Sequence, residues 1–227
     1  MAPLQGKGIT LPFFYEFFAG GGMARAGLGE GWECLLANDI DTKKGATYAL
    51  NWGAEHLKVK DVGLLTTADI PGLANLAWAS FPCQDLSLAG SYAGLKGDRS
   101  GTFWLFWKLM KALAEEQREP PLIVLENVCG ALTSHDGKDF SAIGAALVEG
   151  GYRFGAVVID AARFVPQSRA RLFIVAVREG RAIPTTLTRA QPDPHWHPTN
   201  LVDAYRKLPQ KLKSAWLWWN LPAPQAR

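Results

Sequence analysis

Between Phe13 and Arg178, short apolar runs alternate with stretches patterned as helices, and that alternation admits few architectures. Phe13–Phe17 leads through a glycine-rich turn into a helical stretch at Met23–Leu28, Glu33–Asn38 leads into Thr42–Asn51, and Leu76–Ser80 leads into a long polar segment. Residues 101–117 place Phe103, Phe106, Trp107, Met110 and Leu113 on one face at helical spacing, and Pro120-Pro121 stop that helix before the strand-like run LIVLEN. A further helix is predicted over Asp139–Gly150, followed by strands at Tyr152–Asp160 and Arg171–Arg178. Strands separated by helices cannot close as hairpins, so the expected fold is α/β, a doubly wound and mostly parallel sheet formed by residues 10–180.

From Gly180 the periodicity fails. The stretch RAIPTTLTRAQPDPHWHPTN is rich in Pro and Thr, one short helical candidate follows at Leu201–Leu208, and the chain runs out in SAWLWWNLPAPQAR. Residues 181–227 therefore read as a linker and the start of an incomplete second region. Trp216, Trp218 and Trp219 need a cover, in this chain or another, because each aromatic can bury roughly 150–250 Å². The expectation is that they lose solvent exposure when a second chain docks.

The net charge of +3 is too small to identify a partner, but its distribution is uneven. Residues 1–160 carry 13 basic and 18 acidic side chains, whereas the last 67 carry 11 and 3. An anionic surface is thus expected to meet the C-terminal third. Cys34, Cys83 and Cys129 are odd in number and form no CxxC pair, which supports neither a disulfide framework nor a zinc ribbon. No metal is expected, and a reducing cytoplasm fits. Neither a secretory leader nor a run of about 18 apolar residues is present, so no membrane role is indicated.

Four segments carry chemistry. The first strand ends in FFAGGGM, where Gly20, Gly21 and Gly22 permit positive φ and let a ligand approach bare backbone at a helix start. Asp39 closes the second strand, where a carboxylate can accept both hydroxyls of a ribose. A tight strand-to-helix turn also accounts for the glycines, and the dinucleotide pattern GxGxxG is absent because Ala24, Arg25 and Ala26 follow Met23. In FPCQDLSLAG, Cys83 follows a proline just after a strand, at the sheet edge where open α/β folds bind ligands. The polar segment Gln84–Ser100 is too long for an idle connection and is a candidate lid. LIVLEN delivers Glu126 and Asn127 to the same edge. PQSRARLFIVAV presents Gln167, Arg169 and Arg171 before a strand, and alternate arginines in an extended chain would face an anion as a pair.

In this order the four segments resemble the DNA cytosine-5 methyltransferase family of bacterial or phage type, over Phe13–Val177. FAGGG is similar to its cofactor motif, FPCQDLS to its Pro-Cys motif, ENV to its glutamate motif and QSRAR to its two-arginine motif. The resemblance implies a Rossmann-like fold that binds S-adenosylmethionine and acts on double-stranded DNA. The phenylalanine ahead of Pro82 is similar to the DNA-modifying branch, which makes RNA a less favoured substrate. By the same resemblance, Cys83 adds to carbon 6 of cytosine and Glu126 binds the ring nitrogen and exocyclic amine. Arg171 holds the base carbonyl and helps the thiol ionise, with Arg169 in support. Phe18, Gly20 and Gly22 line the methionine side of the cofactor, Asp39 takes the ribose, Ile40 flanks the adenine and Asp61 reads its amine, with Ala19, Met23, Val62 and Pro82 also expected to bind the cofactor. Gln84, Ser87, Arg99 and Gln167 are the residues expected to face DNA, the first three on a loop that closes as the base flips.

The chain departs from the family in two respects. Ile40 stands where a large aromatic is common, and after the two-arginine strand neither the target-recognition region nor the late motifs can be found. Three explanations stay open: a natural two-chain enzyme, in which a second polypeptide supplies them as partner, a truncated gene product, or a longer protein cut at this point. A non-catalytic remnant that binds S-adenosylmethionine or DNA in a regulatory role is the alternative; the intact Cys83, Glu126, Arg169 and Arg171 argue against simple decay. A nicotinamide oxidoreductase shares the glycine turn and Asp39 but has no use for the PCQ and ENV segments.

Overall fold

The computed structural model describes residues 11–82 and 101–223. Its main sheet has seven strands in the order β3-β2-β1-β4-β5-β7-β6. They are β1 (Phe13–Phe17), β2 (Glu33–Asp39), β3 (Leu57–Val59), β4 (Leu76–Ala79), β5 (Leu122–Val128), β6 (Tyr152–Asp160) and β7 (Ala170–Arg178). The first five are mutually parallel, as the alternation of strands and helices requires. β7 inserts antiparallel between β5 and β6, because the connection 161–169 is too short for the dozen or so residues of a parallel crossover.

Period-two alternation divides the side chains between two faces. Tyr15, Phe17, Ala77, Ala79, Ile123, Leu125, Leu172, Ile174 and Ala176 point to the face covered by α3 (Thr102–Glu115) and α4 (Lys138–Glu149). All five apolar positions predicted for one side of α3 are buried there. Phe14, Cys34 and Leu76 point to the other face, where α1 (Met23–Leu28) and α2 (Thr42–Trp52) lie, with Tyr48 packed among them. The Asp41 carboxylate caps α2 by accepting the amides of Lys43 and Lys44.

Residues after β7 wrap the outer edge of the sheet. β6 would otherwise present a row of unpaired backbone groups, a known liability of edge strands. Val158 N–H donates to Trp196 O at 2.8 Å, Phe154 N–H to Ala215 O at 3.0 Å, and Leu217 N–H to Phe154 O at 2.7 Å. Gly155 permits this approach, since a Cβ there would lie 1.8 Å from Leu217 O. Beyond a two-stranded ribbon of β8 (Thr188–Arg189) and β9 (Trp218–Trp219), α5 (Thr199–Lys207) and α6 (Gln210–Ser214) bury Leu201, Leu208 and Leu212 against the α4 side.

The tail tryptophans correct an expectation drawn from the sequence. Trp216, Trp218 and Trp219 are each less than a tenth exposed within this chain and need no partner to cover them. Trp216 packs against Phe140, Phe154 and Tyr205, Trp218 against His197, and Trp219 donates its indole N–H to Val175 O at 3.3 Å. Among the described residues no helix is long and apolar enough to cross a membrane.

Candidate active site

β1 ends at Phe17, and the chain turns sharply into α1. Phe18, Gly20 and Gly22 hold φ values of 57°, 56° and 84°, a region that costs a residue with a side chain about 1–3 kcal/mol. Gly22 is required twice over: beyond its φ, a Cβ there would lie 2.2 Å from Trp52 Nε1. That nitrogen is held in place, donating to Gly21 O at 3.1 Å beside Asn51 Nδ2 at 3.0 Å. The clamp fixes the bare backbone of the turn against α2.

Beneath the turn sits Glu16, the charged residue of an otherwise uncharged strand. Its Oε1 accepts the amides of Ala24 at 3.1 Å and Arg25 at 3.4 Å, which supplies the N-terminal capping of α1 that Gly22 has no side chain to provide. Oε2 is buried without a hydrogen-bond partner among the described residues. Burial pushes this carboxyl up to about 7, against the opposing pull of the two amides and of Arg25. The Arg25 guanidinium donates to Tyr48 Oη at 3.0 Å and lies over the Trp52 ring.

Asp39 is buried at the end of β2. Its Oδ2 accepts Gly20 N–H at 2.9 Å and its Oδ1 accepts Asp41 N–H at 2.9 Å. A carboxylate offers about four lone-pair sites, so acceptor capacity remains for the hydroxyls of a ribose. Asn38 Nδ2 donates to Lys58 O and Lys60 O at 2.9 and 2.8 Å, and Lys60 N–H donates to Asp39 O at 3.0 Å. These bonds draw Asp61 and the buried Val62 alongside Asp39. One oxygen of Asp61 caps the next turn by accepting Gly63 N–H at 2.8 Å, leaving the other without that duty. Ile40 and Met23 are exposed beside this cradle.

The second half of the site comes from β4, β5 and β7. Trp78 Nε1 donates to Ser80 Oγ at 3.0 Å, and Ser80 donates in turn to Glu126 Oε2 at 2.8 Å. Glu126 Oε1 lies 3.9 Å from Arg171 Nε. The pair meets because Glu126 is opposite Phe173 and Val128 opposite Arg171 in the β5–β7 register, which puts Glu126 and Arg171 on one face. Asn127 Nδ2 donates to Phe81 O at 3.2 Å, fixing the backbone just before the exposed Pro82. The Phe81 ring lies 6.5 Å from that of Phe18, so the two halves touch.

Of the residues singled out in the sequence, Phe18, Ala19, Gly20, Gly22, Asp39, Asp61, Val62, Pro82, Glu126 and Arg171 gather at the C-terminal edge of the parallel strands. Gln167 and Arg169 are exposed on the turn between β6 and β7. Asp160 fixes that turn by accepting Arg169 N–H at 2.7 Å and Ser168 Oγ at 2.8 Å. Cys83, Gln84, Ser87 and Arg99 lie outside the described residues. Glu16, Trp52 and Ser80 escaped the sequence reading. A lone acid within FFYEFF was the available signal for Glu16, whereas the role of Ser80 depends on register across the sheet and leaves no local trace.

Against known proteins, the model of the family described as C-5 cytosine-specific DNA methylase matches residues 13–216. The chain is 34% identical over 172 residues to Type II methyltransferase M.BanI of Aneurinibacillus aneurinilyticus, a match covering 72% of this chain and 38% of that one. It is 33% identical over 169 residues to Orphan methyltransferase M.SPRI of Bacillus phage SPR, covering 72% and 37%. The chain therefore spans less than half the length of these curated relatives. The crystal structure of S. pombe Dnmt2 methyltransferase shares the fold, with a TM-score of 0.61 at 23% identity, covering 76% of this chain and 53% of that one.

Proposed function

Because this chain belongs to the C-5 cytosine-specific DNA methylase family, we propose that it is the catalytic part of a DNA cytosine-5 methyltransferase acting on a cytosine flipped out of double-stranded DNA. The observation that carries the reading is the convergence of two sets of groups at one sheet edge. The Gly20, Gly22 and Asp39 cradle meets Glu126, held between Ser80 and Arg171.

The cradle fits S-adenosylmethionine, which when bound supplies an electrophilic methyl group. Asp39 retains lone pairs for the ribose, Ile40 offers an apolar surface to the adenine and Asp61 a free oxygen to its amine, with Val62 behind. Phe18, Ala19, Met23 and Pro82 wall the methionine end, and the missing Cβ of Gly22 lets the turn that carries them pack against Trp52. Residues 10–180 hold this machinery.

Cytosine carbon 5 is a poor nucleophile. Cys83, next to the fixed Pro82 backbone, attacks carbon 6 as the thiolate; the new C–S bond moves the ring's electron pair towards carbon 5 and the ring nitrogen. Glu126 stabilises that density through the ring nitrogen and the exocyclic amine, an interaction made only by a pre-positioned carboxyl group. Arg171, beside Glu126, binds the base carbonyl, with Arg169 supporting it. Once carbon 5 is methylated, its proton leaves to a base and the C–S bond breaks, returning the thiolate. Gln84, Ser87, Arg99 and Gln167 contact DNA, and a second polypeptide supplies target recognition. The setting is the cytoplasm of a bacterial or phage-infected cell.

Calorimetry with S-adenosylhomocysteine tests the cofactor half. Asp39→Ala removes a charge-assisted bond typically worth about 1.5–3 kcal/mol, so affinity should fall by one to two orders of magnitude. Unchanged affinity would overturn the assignment.

A further inference from the structure

At the outer edge of the sheet, where β6 meets the β8–β9 ribbon and the α5–α6 pair, lies a polar pocket of about 300 Å³. Arg153, Thr188, Arg189 and Lys213 bring its polar groups, Tyr205 and Trp216 are among its aromatic walls, and no Asp or Glu lines it. The pocket is remote from the reaction. Arg153 stands at the start of β6 opposite Val177, whereas Ile159 near the other end stands opposite Arg171. The strand between them spans about 20 Å, which puts an occupant out of reach of Glu126 and Arg171.

The cations here differ from those on the rest of the basic C-terminal portion. Arg178, Arg206 and Lys207 are matched by Glu119, Asp203 and Asp136. At the pocket Asp193 braces Arg189, but neither Arg153 nor Lys213 has a carboxylate partner among the described residues. Lys213 is held in place by other means: its Nζ donates to Arg206 O at 2.7 Å and lies 5.8 Å from the centre of the Tyr205 ring. An ammonium has three donors and a guanidinium five, so Lys213 and Arg189 both keep donors to spare. Trp216 adds a buried indole N–H that no described residue accepts, and an unmet donor at the wall favours an acceptor as occupant. Two uncompensated charges, spare donors and no lining carboxylate select an oxyanion, and guanidinium forks match the oxygens of a phosphate in pairs.

We propose that this pocket binds the phosphate group of a small molecule, at a site separate from the reaction and independent of the methyltransferase reading above. DNA engaged at the Glu126 edge lies at the far end of β6, so the phosphate comes from a free ligand and not from the duplex being modified. Bound there, it joins β6 through Arg153, the ribbon through Arg189 and α6 through Lys213, and braces the segment that covers the sheet edge.

Calorimetry of the full chain with pyrophosphate tests the site. The expected result is saturable binding at one site with a Kd of about 1 mM or below. Arg153→Gln and Lys213→Gln should each weaken it about tenfold or more by removing a charge-assisted contact, while Lys111→Gln, at an exposed position on α3, leaves it unchanged. Without ligand, Arg153→Gln should melt with the wild type, which separates lost binding from lost folding. Saturating S-adenosylhomocysteine should not alter the pyrophosphate affinity, and a short DNA duplex should bind the wild type and Arg153→Gln equally. No saturable binding of pyrophosphate, undiminished binding in Arg153→Gln, an equal loss in Lys111→Gln, competition with S-adenosylhomocysteine, or a duplex affinity that falls in Arg153→Gln would overturn the proposal.

Discussion

Replacing Glu16 with glutamine tests how the glycine-rich turn is held. The carboxyl group is buried beneath α1 and is raised from 4.5 to about 7, whereas in the unfolded chain it titrates near 4.5. Between those values the folded protein holds a proton that the unfolded chain has lost. Its contribution to stability is therefore fully present below about pH 4.5 and is lost as pH rises through about 7. At about 1.4 kcal/mol per pKa unit, the whole swing is about 3 kcal/mol. Glutamine cannot ionise, yet its side-chain carbonyl can still accept the amides of Ala24 and Arg25. Glu16→Gln should thus match the wild type near pH 4.5 and exceed it above pH 7 by up to about 3 kcal/mol, less whatever attraction to Arg25 is forfeited. Urea unfolding followed by tryptophan fluorescence across that range measures the difference directly. Parallel stability profiles for the two proteins would refute the reasoning, since they would mean that Glu16 titrates alike in both states.

Gly22→Ala should destabilise the fold by about 1–3 kcal/mol, from a strained φ and the contact with Trp52, and should weaken S-adenosylhomocysteine binding; thermal melts and calorimetry check both. Ser80→Ala should lower the rate of methyl transfer by about 10- to 100-fold while leaving S-adenosylhomocysteine affinity unchanged, because it removes a bond that orients Glu126 and touches nothing in the cofactor cradle; single-turnover kinetics with the assembled enzyme separate the two effects.

Most of the sheet was legible because strand runs and helix stripes are local patterns. The buried face of α3 follows from five apolar residues at helical spacing, and Asp39 and Glu126 stand at strand ends where the alternation of apolar runs places them. The antiparallel β7 follows only once the 161–169 connection is recognised as too short to cross over. Residues 181–223 show no periodicity because their role is to cover an edge: Trp196 and Leu217 pair with β6 through backbone groups, and Gly155 makes room, none of which leaves a repeating signature. For the same reason the tryptophan-rich tail read as a surface awaiting a partner. Ser80 and Trp52 act across the fold rather than along it, and only the register of β4 against β5, or of α2 against the glycine turn, brings them to the site.

Under the proposed function Cys83, next in sequence to Pro82, bonds covalently to a flipped cytosine. DNA containing 5-fluorocytosine tests it, because fluorine at carbon 5 cannot leave as the proton does and the adduct is trapped after methylation. The chain, purified from its native host with any polypeptide that accompanies it and supplied with S-adenosylmethionine, should give a protein–DNA complex that survives denaturation and disappears in Cys83→Ala. An adduct that persists in Cys83→Ala, or none in the wild-type preparation, would contradict the account.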